Sequence, residues 1–226
     1  MTDKPIYDIT PHTLIDYEGK IGAVVWFSGC PLRCVYCHNP HLIPSGGRYS
    51  VDWVLAYMSK RREWNDGVVL SGGECCMFDG LEEFCKNLKD MGFAVKIDTS
   101  GVRPKTVLEL AEKSLIDTVA LDFKGLEGMF ETVSGGNFFS LFDRTLKGLL
   151  SLGFDFSVRT TVHADYLREA DIVRMGNYLY DAGYRGVYTV QKAVTSVKTL
   201  FGLDEPACGF DVLSATSNAK TRFVGF

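Results

Sequence analysis

The chain has 226 residues, 46% of them hydrophobic, and a formal charge of −4 from 24 basic and 28 acidic side chains. That is enough apolar mass for one sizeable core, and it predicts a single domain over residues 1–226. The acidic balance argues against a general nucleic-acid or membrane-surface binder. No apolar run reaches the roughly 18 residues of a membrane span, and the polar start MTDKPIYDIT lacks the apolar stretch of a signal peptide; a cytoplasmic location is expected.

In chain order, Ile21–Phe27 reads as a strand, followed by a cysteine-rich loop. Val51, Val54, Leu55 and Met58 recur at helical spacing, as do Leu81, Phe84, Cys85 and Leu88, with a short strand at Val68–Leu70 between them. Gly92 ends the second helix, Ala94–Ile97 is the next strand, and a third helix opens on Pro104, a favourable first-turn residue. Thr118–Phe123 is strand-like. Phe142, Leu146 and Leu149 mark a fourth helix, Phe156–Val162 a fifth strand, and Ile172, Met175 and Leu179 a fifth helix. Gly186–Val190 is the sixth strand, leaving Gln191 at its end. Six strands joined by helical crossovers predict an α/β fold with a parallel sheet, read as a partial (β/α)6 TIM-like barrel. In such barrels the chemistry gathers at the C-terminal ends of the strands. The last 35 residues carry little periodicity, although Phe223 and Val224 fit a closing strand.

Seven cysteines occupy positions 30, 34, 37, 75, 76, 85 and 208. Cys30, Cys34 and Cys37 form a C-x3-C-x2-C loop directly after the first strand, unlike a disulfide framework. Three close thiolates can hold three irons of a cubane cluster and leave the fourth open to a ligand. A zinc site completed by His38 is the competing reading, but it lacks the second cysteine pair that such sites usually have.

C-x3-C-x-aromatic-C after one strand and Gly72-Gly73-Glu74 after the next resemble the radical S-adenosylmethionine superfamily. The segments Thr13–Lys20, Cys37-His-Asn-Pro40, Lys96–Gly101 and Ala120–Lys124 further resemble the activating enzymes of glycyl radical enzymes, with the anaerobic ribonucleoside-triphosphate reductase activating proteins as the nearest group. The resemblance covers about residues 10–165 and implies a radical SAM fold.

The resemblance further implies a 4Fe-4S cluster on Cys30, Cys34 and Cys37, with S-adenosylmethionine on its open iron. Reductive cleavage of that cofactor yields a 5′-deoxyadenosyl radical, and no catalytic side chain is expected beyond the cluster and the cofactor. Gly72, Gly73 and Glu74 would meet the cofactor's ammonium group, with glycine allowing close backbone approach. Tyr36 would face the adenine. Asp98, Thr99 and Asp122 would hold a monovalent cation, Ser100 would lie in the same cofactor-binding segment, and Lys124 would face the ribose or carboxylate. An Asp122–Lys124 salt bridge competes with that role, since the two residues share a strand face. Arg159, on the fifth strand, calls for an anionic partner such as the methionine carboxylate. Cys75-Cys76 stands where the family commonly has proline and is read as packing. The implied partners are a glycyl radical enzyme, namely the anaerobic ribonucleotide reductase, and a flavodoxin- or ferredoxin-type reductant. A radical enzyme for a small molecule or peptide would share every motif, and a non-catalytic iron–sulfur carrier would share the cysteines.

Overall fold

The computed structural model describes residues 4–226. Two compact units interleave along the chain: the first runs through Pro31 and adds His41–Thr99 and Lys105–Ala120, while the second takes Leu32–Pro40, Ser100–Pro104 and Leu121–Phe226.

In the first unit, β1 (Ile6–Thr13) pairs antiparallel with β2 (Gly22–Phe27), and β3 (Gly67–Gly72) and β4 (Ala94–Thr99) follow in parallel register. The sequence reading lacks β1. Its Pro11 cannot donate to a ladder and falls in an irregular stretch of the register between Thr10 and Thr13, as suits an edge strand. Strands β2 and β3 are almost continuously buried, which matches the near-unbroken apolar runs Ala23–Val25 and Val68–Leu70. Helix α1 (Val51–Ser59) is capped by Ser50, whose hydroxyl accepts from the Trp53 N–H, and α2 (Leu81–Asp90) buries Leu81, Phe84, Cys85 and Leu88. Helix α3 (Pro104–Glu112) opens on its proline as expected.

The segment Thr13–Lys20 has a packing role. Tyr17 is buried against Val24 and Val69, and a Cβ on Gly67 would meet the Tyr17 ring at 2.8 Å. The Lys96 ammonium donates to the Asp16 carbonyl at 2.5 Å.

Strand β5 (Thr118–Asp122) has three residues in the first unit and two in the second. The second unit adds α4 (Met129–Ser134), α5 (Phe139–Ser151), β6 (Phe156–Val162), α6 (Glu169–Asp181), β7 (Tyr188–Lys192) and β8 (Thr221–Val224). Strands β6, β7 and β8 pair in parallel. The series from β2 to β7 is the six-strand (β/α)6 alternation of the sequence reading; β1 and α4 are additions to it, and β8 holds the Phe223 and Val224 that fitted a closing strand. Strand β7 begins two residues later than read, so Gln191 lies within it and donates to Thr161 Oγ1 at 2.8 Å.

Candidate active site

The end of β2 leads into the cysteine loop, and Cys30 is fixed through its backbone. Gly29 N–H donates to Leu42 O at 2.7 Å and Cys30 N–H to Ile43 O at 3.1 Å. The turn after β3 lies against the same backbone, with Gly73 N–H donating to Phe27 O at 2.9 Å and Glu74 N–H to Gly29 O at 2.8 Å. A Cβ on Gly72, whose φ is +118°, would meet Phe27 O at 2.4 Å, and one on Gly73 would meet Gly29 O at 2.3 Å. Both glycines are therefore demanded by protein backbone, a constraint separate from any ligand. Glu74 is buried, and its Oε1 accepts from Thr99 Oγ1 at 2.7 Å and from Cys76 N–H at 3.3 Å. Asp98 has the Lys96 ammonium at 3.4 Å and accepts from Ser71 Oγ at 3.3 Å. Beside Cys30 a cleft of about 580 Å³ is lined by Ser28, Gly29, Pro31, Met77 and Phe78 among others, a volume in the range of small-molecule sites.

Donor atoms of Glu74, Cys75 and Cys76 lie within 4.8 Å of one another, close enough to share a metal ion. Cys75 is held well above the usual thiol range by its hydrogen bond with Cys76 and by burial, which favours the neutral, packed state of the pair.

In the second unit, Cys34 and Cys37 sit on a turn closed by Cys37 N–H to Cys34 O at 3.0 Å. Helix α4 anchors that turn, because Arg33 N–H donates to Ser134 O at 2.8 Å and Val35 N–H to Val133 O at 3.0 Å. Tyr36 is buried, and its hydroxyl makes no hydrogen bond among the described residues. The Lys124 ammonium lies 5.4 Å from the Tyr36 ring centroid without reaching hydrogen-bond geometry at the hydroxyl. Lys124 Nζ is 3.4 Å from Asp122 Oδ2, while Arg159 Nε donates to Asp122 Oδ1 at 2.5 Å. Burial pushes the Asp122 carboxyl up, but Arg159 and Lys124 outweigh it and bring the pKa down to about 2. Burial works against the Lys124 charge, yet Asp122 keeps its pKa above the ordinary lysine value. Cys34 and Cys37 are raised by burial, with Lys124 opposing the rise in both. Ser100 is buried in this unit next to Gly101, whose carbonyl accepts from Thr145 Oγ1 at 2.7 Å.

The model of the Radical SAM superfamily matches residues 24–176. The chain belongs to the Radical SAM superfamily. Among curated relatives it is 36% identical over 49% of its length to a protein of Methanocaldococcus jannaschii named for glycyl-radical enzyme activation, covering 46% of that protein. It is 30% identical over 70% of its length to the pyruvate formate-lyase-activating enzyme of Clostridium pasteurianum, covering 68% of it. The chain thus spans less than half of the first relative and about two thirds of the second. Among solved structures, SuiB of Streptococcus suis bound to S-adenosylmethionine aligns over 89% of this chain and 52% of SuiB, at TM-score 0.67 and 13% identity. QueE from Escherichia coli aligns over 84% of both chains at TM-score 0.56 and 19% identity. These likenesses establish the α/β radical SAM fold with its parallel strands. No helix among the described residues is long and apolar enough to cross a membrane.

The radical SAM family uses a 4Fe-4S cluster and S-adenosylmethionine, and this chain's side chains fit both. The three thiols are only partly covered, and Lys124, which opposes the rise that burial imposes on Cys34 and Cys37, supplies the positive charge that an anionic cluster calls for. In the first unit the cleft at Cys30 leaves space for an organic ligand. The carboxylates expected to hold a monovalent cation each also have a protein cation beside them: Lys96 at Asp98, and Arg159 with Lys124 at Asp122. Arg159 accordingly finds its anion in Asp122.

His38, the residue that would complete a zinc site, has its Nε2 paired with Val194 O at 3.0 Å. His163 is buried with Nε2 on Asp204 O at 2.8 Å and Nδ1 accepting from Asp165 N–H, a tautomer suited to holding the tail. Sequence reasoning missed α4 as the anchor of the cysteine turn. Its cue was the pair Gly125 and Gly128 bracketing a turn before Phe130 and Val133.

Proposed function

We propose that this chain is a radical SAM activase that generates a glycyl radical on a partner enzyme, the anaerobic ribonucleoside-triphosphate reductase. The observation that carries the activase reading is the 30% identity to a pyruvate formate-lyase-activating enzyme across 70% of the chain. The choice of the reductase rests on the resemblance carried by the Thr13–Lys20, Cys37–Pro40, Lys96–Gly101 and Ala120–Lys124 segments, for which the reductase activating proteins are the nearest group.

Cys30, Cys34 and Cys37 hold the cluster. Cluster and S-adenosylmethionine, when bound there, would supply one-electron reductive cleavage of the sulfonium and the hydrogen-atom abstraction that follows from it. Tyr36 packs on the adenine, and Gly72, Gly73 and Glu74 receive the ammonium end of the cofactor. Asp98, Thr99 and Ser100 line the cofactor's surroundings. Lys124 stays protonated on Asp122 and faces the cluster and cofactor as a fixed positive charge. Arg159 orients Asp122 and so keeps Lys124 in place. A flavodoxin- or ferredoxin-type protein delivers the electron, and the cytoplasm is the expected compartment.

The test is anaerobic incubation with reductant, S-adenosylmethionine and a reductase carrying deuterated glycine. Deuterium in 5′-deoxyadenosine together with a glycine-centred doublet in electron paramagnetic resonance is the expected result. Cleavage of the cofactor without transfer from the protein would redirect the activity to a small molecule or peptide. No cleavage at all would leave an electron carrier.

A further inference from the structure

One surface of the first unit, remote in its chemistry from the cysteine loop, forms a row of stacked rings. Tyr49, just before α1, stacks on Trp53 of that helix at 4.4 Å and 20°, and Trp53 on Tyr57 at 5.4 Å and 13°. The row continues through Arg61, whose guanidinium lies 4.3 Å over the Tyr57 ring and whose Nη1 is 3.3 Å from His12 Nε2. His12 in turn stacks on Trp64 at 6.3 Å. Trp53 and Tyr57 are four positions apart on α1 and so share a helix face, while Tyr49 before the helix and Arg61 after it extend the row through their ring and guanidinium contacts. Trp53 and Trp64 remain 46% and 63% exposed, a large apolar outlay for a solvent face.

The row is also positively charged. Arg48, Lys60 and Arg61 flank it, and none has a carboxylate within ion-pair distance among the described residues. The chain as a whole carries −4, so this is a local basic stripe on an acidic protein. Asp52 and Glu63 are the acidic residues on the same stretch of chain.

The stacking decides what such a stripe can receive. The parallel rings spend their faces on each other and on Arg61, so solvent meets their edges. Ring edges carry the positive end of the aromatic quadrupole, and the Trp53 indole N–H and Tyr57 hydroxyl make no hydrogen bond among the described residues. A single-stranded nucleic acid needs free ring faces for its bases, whereas carboxylates and backbone carbonyls of a protein suit electropositive edges and cations that, although Arg48 rests on Tyr7 and Arg61 on Tyr57 and His12, have no carboxylate neutralising them among the described residues. Tryptophan, tyrosine and arginine are the residues that dominate protein interfaces. We infer that the Tyr49–Trp53–Tyr57–Arg61 row is the docking surface for an acidic face of the protein that receives the radical. The inference rests on the activase reading for the identity of that protein.

Binding of the holo chain to the anaerobic ribonucleotide reductase would be measured by biolayer interferometry. The comparison is between wild type, an Arg48→Glu/Lys60→Glu variant at two exposed positions, and Trp53→Ala. Cofactor cleavage without partner, melting temperature and binding to a thirty-nucleotide oligo-dT would be recorded alongside. Expected are a Kd at least tenfold weaker in both variants, steep weakening of the wild type with salt, and unchanged partner-free cleavage. Full-strength binding by both variants would overturn the docking surface alone. Failure of the wild type to bind, with cleavage intact, would remove the partner reading and the docking with it. Oligo-dT binding lost in the variants, or a wild-type dimer dispersed by them, would reassign the stripe to nucleic acid or to a second copy.

Discussion

The second unit's charge balance is decided by three side chains. Asp122 carries one negative charge between two cations, and the pair interactions outweigh its burial. Its folded pKa of about 2 lies below the ordinary 3.8, so the stabilisation is present above about pH 4 and is lost as pH falls toward 2. The gap corresponds to about 2 kcal/mol. Asp122→Asn should therefore lower stability at pH 7 by at least that amount, since Lys124 and Arg159 lose their anion. Below pH 4 the variant's stability should vary less steeply than the wild type's, and the two curves should converge. Urea unfolding from pH 7 to pH 2.5 measures this, and parallel curves would refute it. Residue by residue, the sequence disclosed the thiols, the Gly-Gly-Glu turn and the Asp122–Lys124 ion pair, although Lys124 lies just past the end of β5, because each depends on local spacing. It did not disclose that Arg159 pairs with a carboxylate 37 positions away. Nor did it disclose that Gly72 and Gly73 make room for Phe27 and Gly29. Partners brought together only by strand pairing leave no local trace.

At the scale of elements, short links fix the segments that bear the site. The stretch Ser100–Pro104 joins β4 to α3, with Gly101 at φ +74°. The buried Thr145 of α5 donates to Gly101 O at 2.7 Å and lies 3.2 Å from Leu141 O. Thr145→Val keeps the shape and deletes the hydroxyl, which should cost about 1 kcal/mol. Amide exchange at Ser100–Arg103 should rise several-fold, while β7 amides keep their rates. Unchanged exchange at Ser100–Arg103 would show that the hydroxyl holds nothing. The elements with strong periodicity were legible: α2, α5 and α6 bury the apolar positions that their spacing marks. Those missed are short or polar. β1 is an edge strand interrupted by Pro11, and α4 has six residues. Edge strands and single turns bury too little for a pattern to stand out.

Across the whole molecule, seven cysteines must be sorted between metal binding and packing. Cys85 is buried on the apolar face of α2 and pushed up to about 12, mainly by burial, so it behaves as a hydrophobic side chain. Cys208 is exposed on the tail. Cys75 and Cys76 are buried and share a hydrogen bond, and their raised thiols disfavour the thiolates that a metal or a redox step would use. Cys30, Cys34 and Cys37 differ in being only partly covered, and Lys124 draws the last two toward the thiolate. Anaerobic reconstitution should thus give about four irons per chain, and Cys30→Ala, Cys34→Ala and Cys37→Ala should each abolish the cluster's absorbance and reduced-state resonance. A Cys75→Ala/Cys76→Ala variant should retain full iron and cleave the cofactor within a few-fold of wild type. Its cost should appear as stability, about 2 kcal/mol for two small cavities. A Cys34→Ala protein with its iron intact would undo the assignment of the cluster ligands. Iron retained but cleavage abolished in the double variant would place a second function on Glu74, Cys75 and Cys76, whose donor atoms already lie within 4.8 Å.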